Sequence, residues 1–134
     1  MTDIAQRKTD HLDLATSGDV GFHQTTSLFE CVALVHDALP ELDFDHIDLS
    51  TSVLGKRLRA PLFIAGMTGG NERARRINRE LAAVAEQRGY GFGLGSQRAM
   101  LLDPSVRGTF EVREVAPTAL VLANLGVVQA SRAS

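Results

Sequence analysis

At 134 residues, with 44% hydrophobic and 22% charged side chains, the chain has the size and composition of one ordinary globular domain. A net charge of −2 gives no reason to expect nucleic acid or an anionic membrane as a partner, and no apolar run nears the ~18 residues of a membrane span. The polar start Met1-Thr2-Asp3 is unlike a signal peptide, and the single Cys31 excludes an internal disulfide framework and fits a reducing cytoplasm.

Residues 1 to about 48 do not alternate cleanly. Arg7-Lys8-Thr9-Asp10-His11 is a charged cluster opening a helical turn, with Leu12 and Leu14 behind it. Residues 29–39 carry mixed apolar spacing ended by Pro40, so this arm is expected to be irregular with some helix. Cys31 has no His at a motif spacing and reads as a small, half-buried core residue rather than a catalytic thiol. Residues 47–54 then alternate with period two, followed by Gly55-Lys56 and residues 57–60, the pattern of a β-hairpin at a surface.

From Pro61 a strand–loop–helix rhythm sets in. Residues 62–65, 90–94 and 120–123 are apolar runs without polar alternation, expected for parallel strands buried on both faces. Between the first two, Asn71 is a natural N-cap and Gly89 a natural C-terminal stop. Ala74, Ile77, Leu81, Val84 and Ala85 form the expected apolar face of that helix. Its arginines, Arg73, Arg75, Arg76 and Arg79, are offset by Glu72, Glu80 and Glu86 and read as a solvated surface. Asp103-Pro104 opens a further brief helix, expected to break near Gly108. The fold class is therefore α/β, with residues 1–60 as arm and capping hairpin and residues 61–134 as a βαβαβ unit.

Each strand is followed by a special loop, and parallel strands end on one side, so the loops should converge on one rim, where α/β folds build ligand sites. Gly66-Met67-Thr68-Gly69-Gly70 joins a hydroxyl to three glycines. Such a loop lets a flat or anionic ligand approach the backbone, although spacing alone leaves a plain tight turn equally open. It matches neither the phosphate-loop nor the dinucleotide fingerprint. Ser96-Gln97-Arg98 offers a hydroxyl, an amide and a guanidinium suited to phosphate, with a surface Arg beside a turn as the bland alternative. Asn124 at a strand end needs partners that the edge of a heteroaromatic ligand would supply. Arg7, Lys8 and His11, taken alone, read as a solvated charge run, and no cluster has zinc spacing.

Taken in order, Arg7-Lys8-Thr9-Asp10-His11-Leu12, Met67-Thr68-Gly69-Gly70, Gly93-Leu94-Gly95-Ser96-Gln97-Arg98 and Ala123-Asn124-Leu125-Gly126 closely resemble the N-terminal part of the type 2 isopentenyl-diphosphate delta-isomerases. The likeness extends over about residues 5 to 129 and includes Val35-His36-Asp37-Ala38-Leu39-Pro40 and Leu54-Gly55-Lys56. It implies the N-terminal part of a (β/α)8 TIM barrel that interconverts isopentenyl and dimethylallyl diphosphate with reduced FMN. It implies FMN held in part by Gly66, Met67, Thr68, Ser96 and Asn124. It also implies substrate diphosphate met by Arg7, Lys8, Ser96, Gln97 and Arg98, with His11 a weaker candidate. NADPH as reductant, Mg2+ on the diphosphate and a homo-oligomeric full-length protein belong to the same implication, which assigns no catalytic residue and no metal ligand to these positions.

Ser-Gln-Arg and the Arg-Lys-x-x-His arm argue against another FMN barrel, such as an α-hydroxy-acid oxidase. Two departures shape the expectation. A closed barrel takes ~250 residues, so about three of its strands are expected here. The ending Ala130-Ser131-Arg132-Ala133-Ser134 also leaves the family pattern, as a fragment, a premature stop or a shifted reading frame would. A truncated, inactive part of the isomerase is expected, with a non-catalytic remnant that binds diphosphates or a partner chain as the alternative.

Overall fold

The computed structural model describes residues 4–131; the start Met1-Thr2-Asp3 and the tail Arg132-Ala133-Ser134 lie outside the described residues. The charged cluster of the arm belongs to a helix, α1 (Ile4–Ser17), longer than the single turn anticipated. Lys8 and Leu12 are one turn apart, so they share a face, and both are buried, while Arg7, His11 and Leu14 are exposed. After α1, residues 18–49 are exposed throughout and contain only two 3-10 turns, Phe29–Cys31 and Phe44–His46. The arm is thus irregular with some helix, as its spacing suggested, but Cys31 is exposed rather than half-buried. The reason is tertiary. An apolar stripe makes a stable helix only when it has a surface to pack on, and Val35 here is fully exposed.

The hairpin pairs β1 (Thr51–Val53) with β2 (Lys56–Leu58), Thr51 opposite Leu58 and Val53 opposite Lys56. It is shorter than expected, and its turn is Leu54-Gly55 rather than Gly55-Lys56. Both turn residues have positive φ, 49° and 74°, which fits the tight turn that follows strand twist. Leu58 anchors the hairpin by burial, and Arg59 N–H donates to the Gly89 carbonyl at 2.9 Å.

Three parallel strands follow in the order β3 (Phe63–Ile64), β4 (Gly91–Ser96) and β5 (Val121–Asn124). All three expected strands exist, but they are not buried on both faces: Phe63 is 40% and Leu122 41% exposed. Helical structure covers one face only, where Phe92 and Leu94 pack with Ala82, Ala85, Val112, Ala116 and Ala119. On the other face Phe63 lies against Gly91, where an added Cβ would sit 2.1 Å from its ring.

The crossover helix α2 (Glu72–Arg88) begins and ends where its capping residues predict. Asn71 accepts from Ala74 N–H at 2.8 Å, and Gly89 takes the left-handed conformation. Its buried stripe is Ala74, Asn78, Ala82 and Ala85, whereas Leu81 and Val84 are exposed, so the apolar face is rotated from the expected one. Small alanines let the helix axis approach the sheet, and the larger side chains are left at the flank. Between β4 and β5 run α3 (Arg98–Leu102), which patterning did not reveal, and a 3-10 segment, Pro104–Phe110, which starts at Asp103 as expected but continues past Gly108. A short α4 (Val127–Ala130) follows β5. No helix among the described residues is long and apolar enough to cross a membrane.

Candidate functional site

The three special loops do meet. Gly66 lies against the Leu94 carbonyl, where an added Cβ would stand 2.4 Å from the oxygen, and Gly95 lies equally close to the Thr68 carbonyl. These two glycines are required by backbone crossing backbone, so the protein itself explains them without a ligand. The register between β4 and β5 shifts between Gly93 and Ser96, bringing Ser96 opposite Asn124. Such irregularities re-aim side chains at site rims. Asn124 Nδ2 donates to the Leu94 carbonyl at 2.9 Å, and Gln97 N–H donates to the Asn124 carbonyl at 2.9 Å. Residues 66–68, 94–97 and 124 thus form one continuous patch.

A second layer holds the glycine loop from below. Gly70 N–H donates to Thr109 Oγ1 at 2.8 Å. Asn78, 3% exposed, donates through Nδ2 to the Thr109 carbonyl at 3.0 Å and the Thr68 carbonyl at 3.3 Å. Helix α1 closes over this layer. Arg73 pairs with Asp13, and Asn71 Nδ2 donates to Thr9 Oγ1 at 3.3 Å. The Lys8 ammonium lies 5.5 Å from the centre of the Phe110 ring, which in turn occupies the space above Gly69.

Two polar atoms in this region are fully buried without a hydrogen-bond partner among the described residues, Lys8 Nζ and Thr68 Oγ1. Burial away from water, with Arg7 close by as a second contribution, pulls the Lys8 pKa below its ordinary value of 10.5. Unpartnered buried polar atoms are uncommon, and a buried ammonium more so.

The residues singled out in the sequence are therefore distributed unevenly. Gly66, Met67 and Asn124 are exposed on the patch, Ser96 and Gln97 half-buried in it, and Thr68 buried beneath it. Arg98 opens α3 with its side chain exposed, and its backbone N–H meets Ser96 Oγ at 3.4 Å. Lys8 reaches the loop through Phe110, whereas Arg7 and His11 point to the exposed side of α1. Asn124, expected to seek a ligand, already spends its donor on Leu94 and keeps Oδ1 as its acceptor. Sequence reading missed Phe110, Thr109 and Asn78. Asn78 was findable, because a polar residue one turn from both Ala74 and Ala82 interrupts a stripe of small residues; Phe110 carries no local signal.

Residues 2–109 match the FMN-dependent dehydrogenase family over most of the chain. The chain belongs to that family. Within it, the chain is 52% identical over 127 residues to an isopentenyl-diphosphate delta-isomerase of Methanopyrus kandleri, covering 94% of this chain and 34% of that protein. An isopentenyl-diphosphate delta-isomerase of Paracoccus zeaxanthinifaciens is 50% identical over 127 residues, covering 94% of this chain and 36% of its own length. One of Oceanobacillus iheyensis is 45% identical with the same two coverages. The chain spans about a third of the length of these curated relatives.

The rim of this FMN-dependent dehydrogenase family member offers groups suited to the edge of a flat heteroaromatic ring. The exposed backbone of Gly66-Met67 and the Asn124 acceptor are groups that a heteroaromatic edge can meet. A cleft of about 370 Å3 on the helix-covered face, lined by Arg79, Arg113 and Glu114 among others, is not a rival anion site. Arg79 is already paired with Glu114 at 2.8 Å, and Arg113 donates to the carbonyls of Ala116 and Ala119.

Proposed function

We propose that this chain forms the rim that holds flavin and diphosphate in an FMN-dependent isomerase interconverting isopentenyl and dimethylallyl diphosphate, with its three parallel strands as the first three of a (β/α)8 barrel. The observation that carries the reading is the buried Lys8 ammonium, without a hydrogen-bond partner among the described residues, packed on the Phe110 ring that fills the space at Gly69. A buried cation with no hydrogen-bond partner among the described residues is poised for an anion, and a diphosphate is the anion named by the relatives.

In this reading Lys8, Arg7 and Arg98 bind and orient the diphosphate by charge-assisted hydrogen bonds, each worth ~1.5–3 kcal/mol. Ser96 and Gln97 complete the cradle, and His11 stands by as a further donor. Gly66, Met67, Thr68, Ser96 and Asn124 face the flavin ring. FMN, if bound there and reduced, would supply electron density for moving a proton from one carbon of the allylic unit to another, an isomerisation with no net redox change. The residues of the rim hold the substrate in place.

NADPH as reductant, Mg2+ on the diphosphate, a homo-oligomeric full-length protein and a cytoplasmic setting accompany this reading. Among the described residues no three His, Cys, Asp or Glu side chains cluster to hold a metal, so no step is assigned to Mg2+ through this chain. The open sheet edges favour a second reading, a non-catalytic chain that at most binds diphosphates or a partner chain. Mixing the chain with the C-terminal two-thirds of the Methanopyrus kandleri relative, FMN, NADPH, Mg2+ and isopentenyl diphosphate separates the two. Formation of dimethylallyl diphosphate, lost when Lys8→Ala is used, supports the isomerase reading. Absence of turnover in a mixture that forms a complex sinks it.

A further inference from the structure

We propose that Phe110 is the positioning residue for Lys8, a ring lodged between the Gly69 backbone and the Lys8 ammonium that holds this cation at the rim. The inference rests on the reading of the rim as a diphosphate site. Phe110 is 5% exposed and Lys8 8% exposed, with the ammonium 5.5 Å from the ring centre. A cation over an aromatic face is attracted by the ring quadrupole, which offsets part of the cost of leaving water. Among the described residues no hydrogen bond does that work, since Lys8 Nζ has none there.

The ring itself is held from two sides. An added Cβ on Gly69 would stand 2.0 Å from Phe110 Cε1, so the ring occupies the space a side chain at 69 would need. The residue before it, Thr109, is tied to Gly70 through its hydroxyl and to Asn78 through its carbonyl. Phe110 therefore moves with the glycine loop, and through it Lys8 is placed relative to Thr68 and the strand ends. Burial and the neighbouring Arg7 both favour the uncharged amine, which makes the ring's support of the charged form matter more.

Inorganic pyrophosphate, titrated calorimetrically into the 134-residue chain, tests the inference with Phe110→Leu, Phe110→Tyr, Lys8→Ala and the Lys8→Ala/Phe110→Leu double variant. The expected loss for Phe110→Leu is about tenfold, the cost of ordering on binding a Lys side chain that the ring no longer holds. Phe110→Tyr should keep the wild-type affinity, and the double variant should bind no more weakly than Lys8→Ala alone. If Phe110→Leu does not fold, Phe110→Met, nearer in volume, takes its place. Independently of binding, the Lys8 ε-methylene proton resonance of the unmodified chain should be displaced upfield by the ring current. Wild-type binding by Phe110→Leu alongside weak binding by Lys8→Ala overturns the role of Phe110 and leaves the diphosphate reading standing. An unshifted Lys8 resonance does the same. Wild-type binding by Lys8→Ala removes the diphosphate reading and this inference together.

Discussion

Lys8 shows how one residue changes meaning between sequence and structure. In the sequence it belongs to a charge run; in the fold it is a buried cation with a lowered pKa. Because its folded pKa lies below the unfolded value of 10.5, the unfolded chain holds the proton more tightly between those two values. Stability should therefore rise as pH climbs through the lowered pKa toward 10.5, a gain that Lys8→Met abolishes in thermal melts across alkaline pH. An anion bound beside Lys8 favours the charged form, so pyrophosphate binding in that window should take up protons, visible as a dependence of the calorimetric heat on the buffer. The Leu54 backbone offers a second residue-scale test. A non-glycine residue in the left-handed region costs roughly 1–2 kcal/mol, so Leu54→Asn should stabilise the hairpin by about 1 kcal/mol in denaturant unfolding.

Among the elements, α2 carries most of the connections that hold the rim in place. Its start is tied to α1 and to its own first turn by Asn71, and Asn71→Ala should cost ~0.5–2 kcal/mol on thermal unfolding. Asn78 reaches from its middle to two loop carbonyls, so Asn78→Ala should destabilise by ~1–3 kcal/mol for each carbonyl left dry. At its end Glu86 accepts from the Thr118 hydroxyl and from the backbone N–H groups of Thr118 and Ala119, at 3.0 and 2.6 Å, which fixes the entry to β5. The Thr118 hydroxyl first, and the two amides after it, hold the Glu86 carboxyl below its ordinary 4.5. Its contribution is complete above 4.5 and should fade as pH falls through the depressed value. In Glu86→Gln that acid-limb loss should be smaller when melting is followed against pH.

Taken as a whole, the molecule buries one face of a three-stranded sheet and leaves much apolar surface outside. Phe63, Leu122, Leu125, Val127 and Val128 are exposed near the sheet, and the arm exposes Phe22, Phe29, Leu34 and Val35. Exposed apolar area and unpaired strand edges are templates for association. The 134-residue chain by itself is therefore expected to associate rather than remain a monodisperse monomer, as light scattering with thermal melting will show; a monomer with a sharp transition would contradict this. The same chain should not retain FMN stoichiometrically on purification, because barrel phosphate sites are built on the loops after strands seven and eight. A yellow protein with one flavin per chain would refute that expectation.

Cap residues and breakers act over a few residues, and for that reason Asn71, Gly89, Asp103 and the three apolar runs were legible without coordinates. The parallel sense of the strands followed from their spacing, since a crossover helix between them permits little else. Which face of α2 is buried was a different matter. Ala82 displaced Leu81 because the approach of helix to sheet rewards a small side chain, and that distance exists only once the sheet is formed. The same holds for the rim. Its loops could be placed on one side from strand direction, but the meeting of Lys8, Phe110 and Gly69 joins segments about 60 and 40 residues apart, which local pattern cannot encode. Local chemistry in the sequence determined the elements and the residue types at the rim; long-range packing alone decided which of them became buried partners.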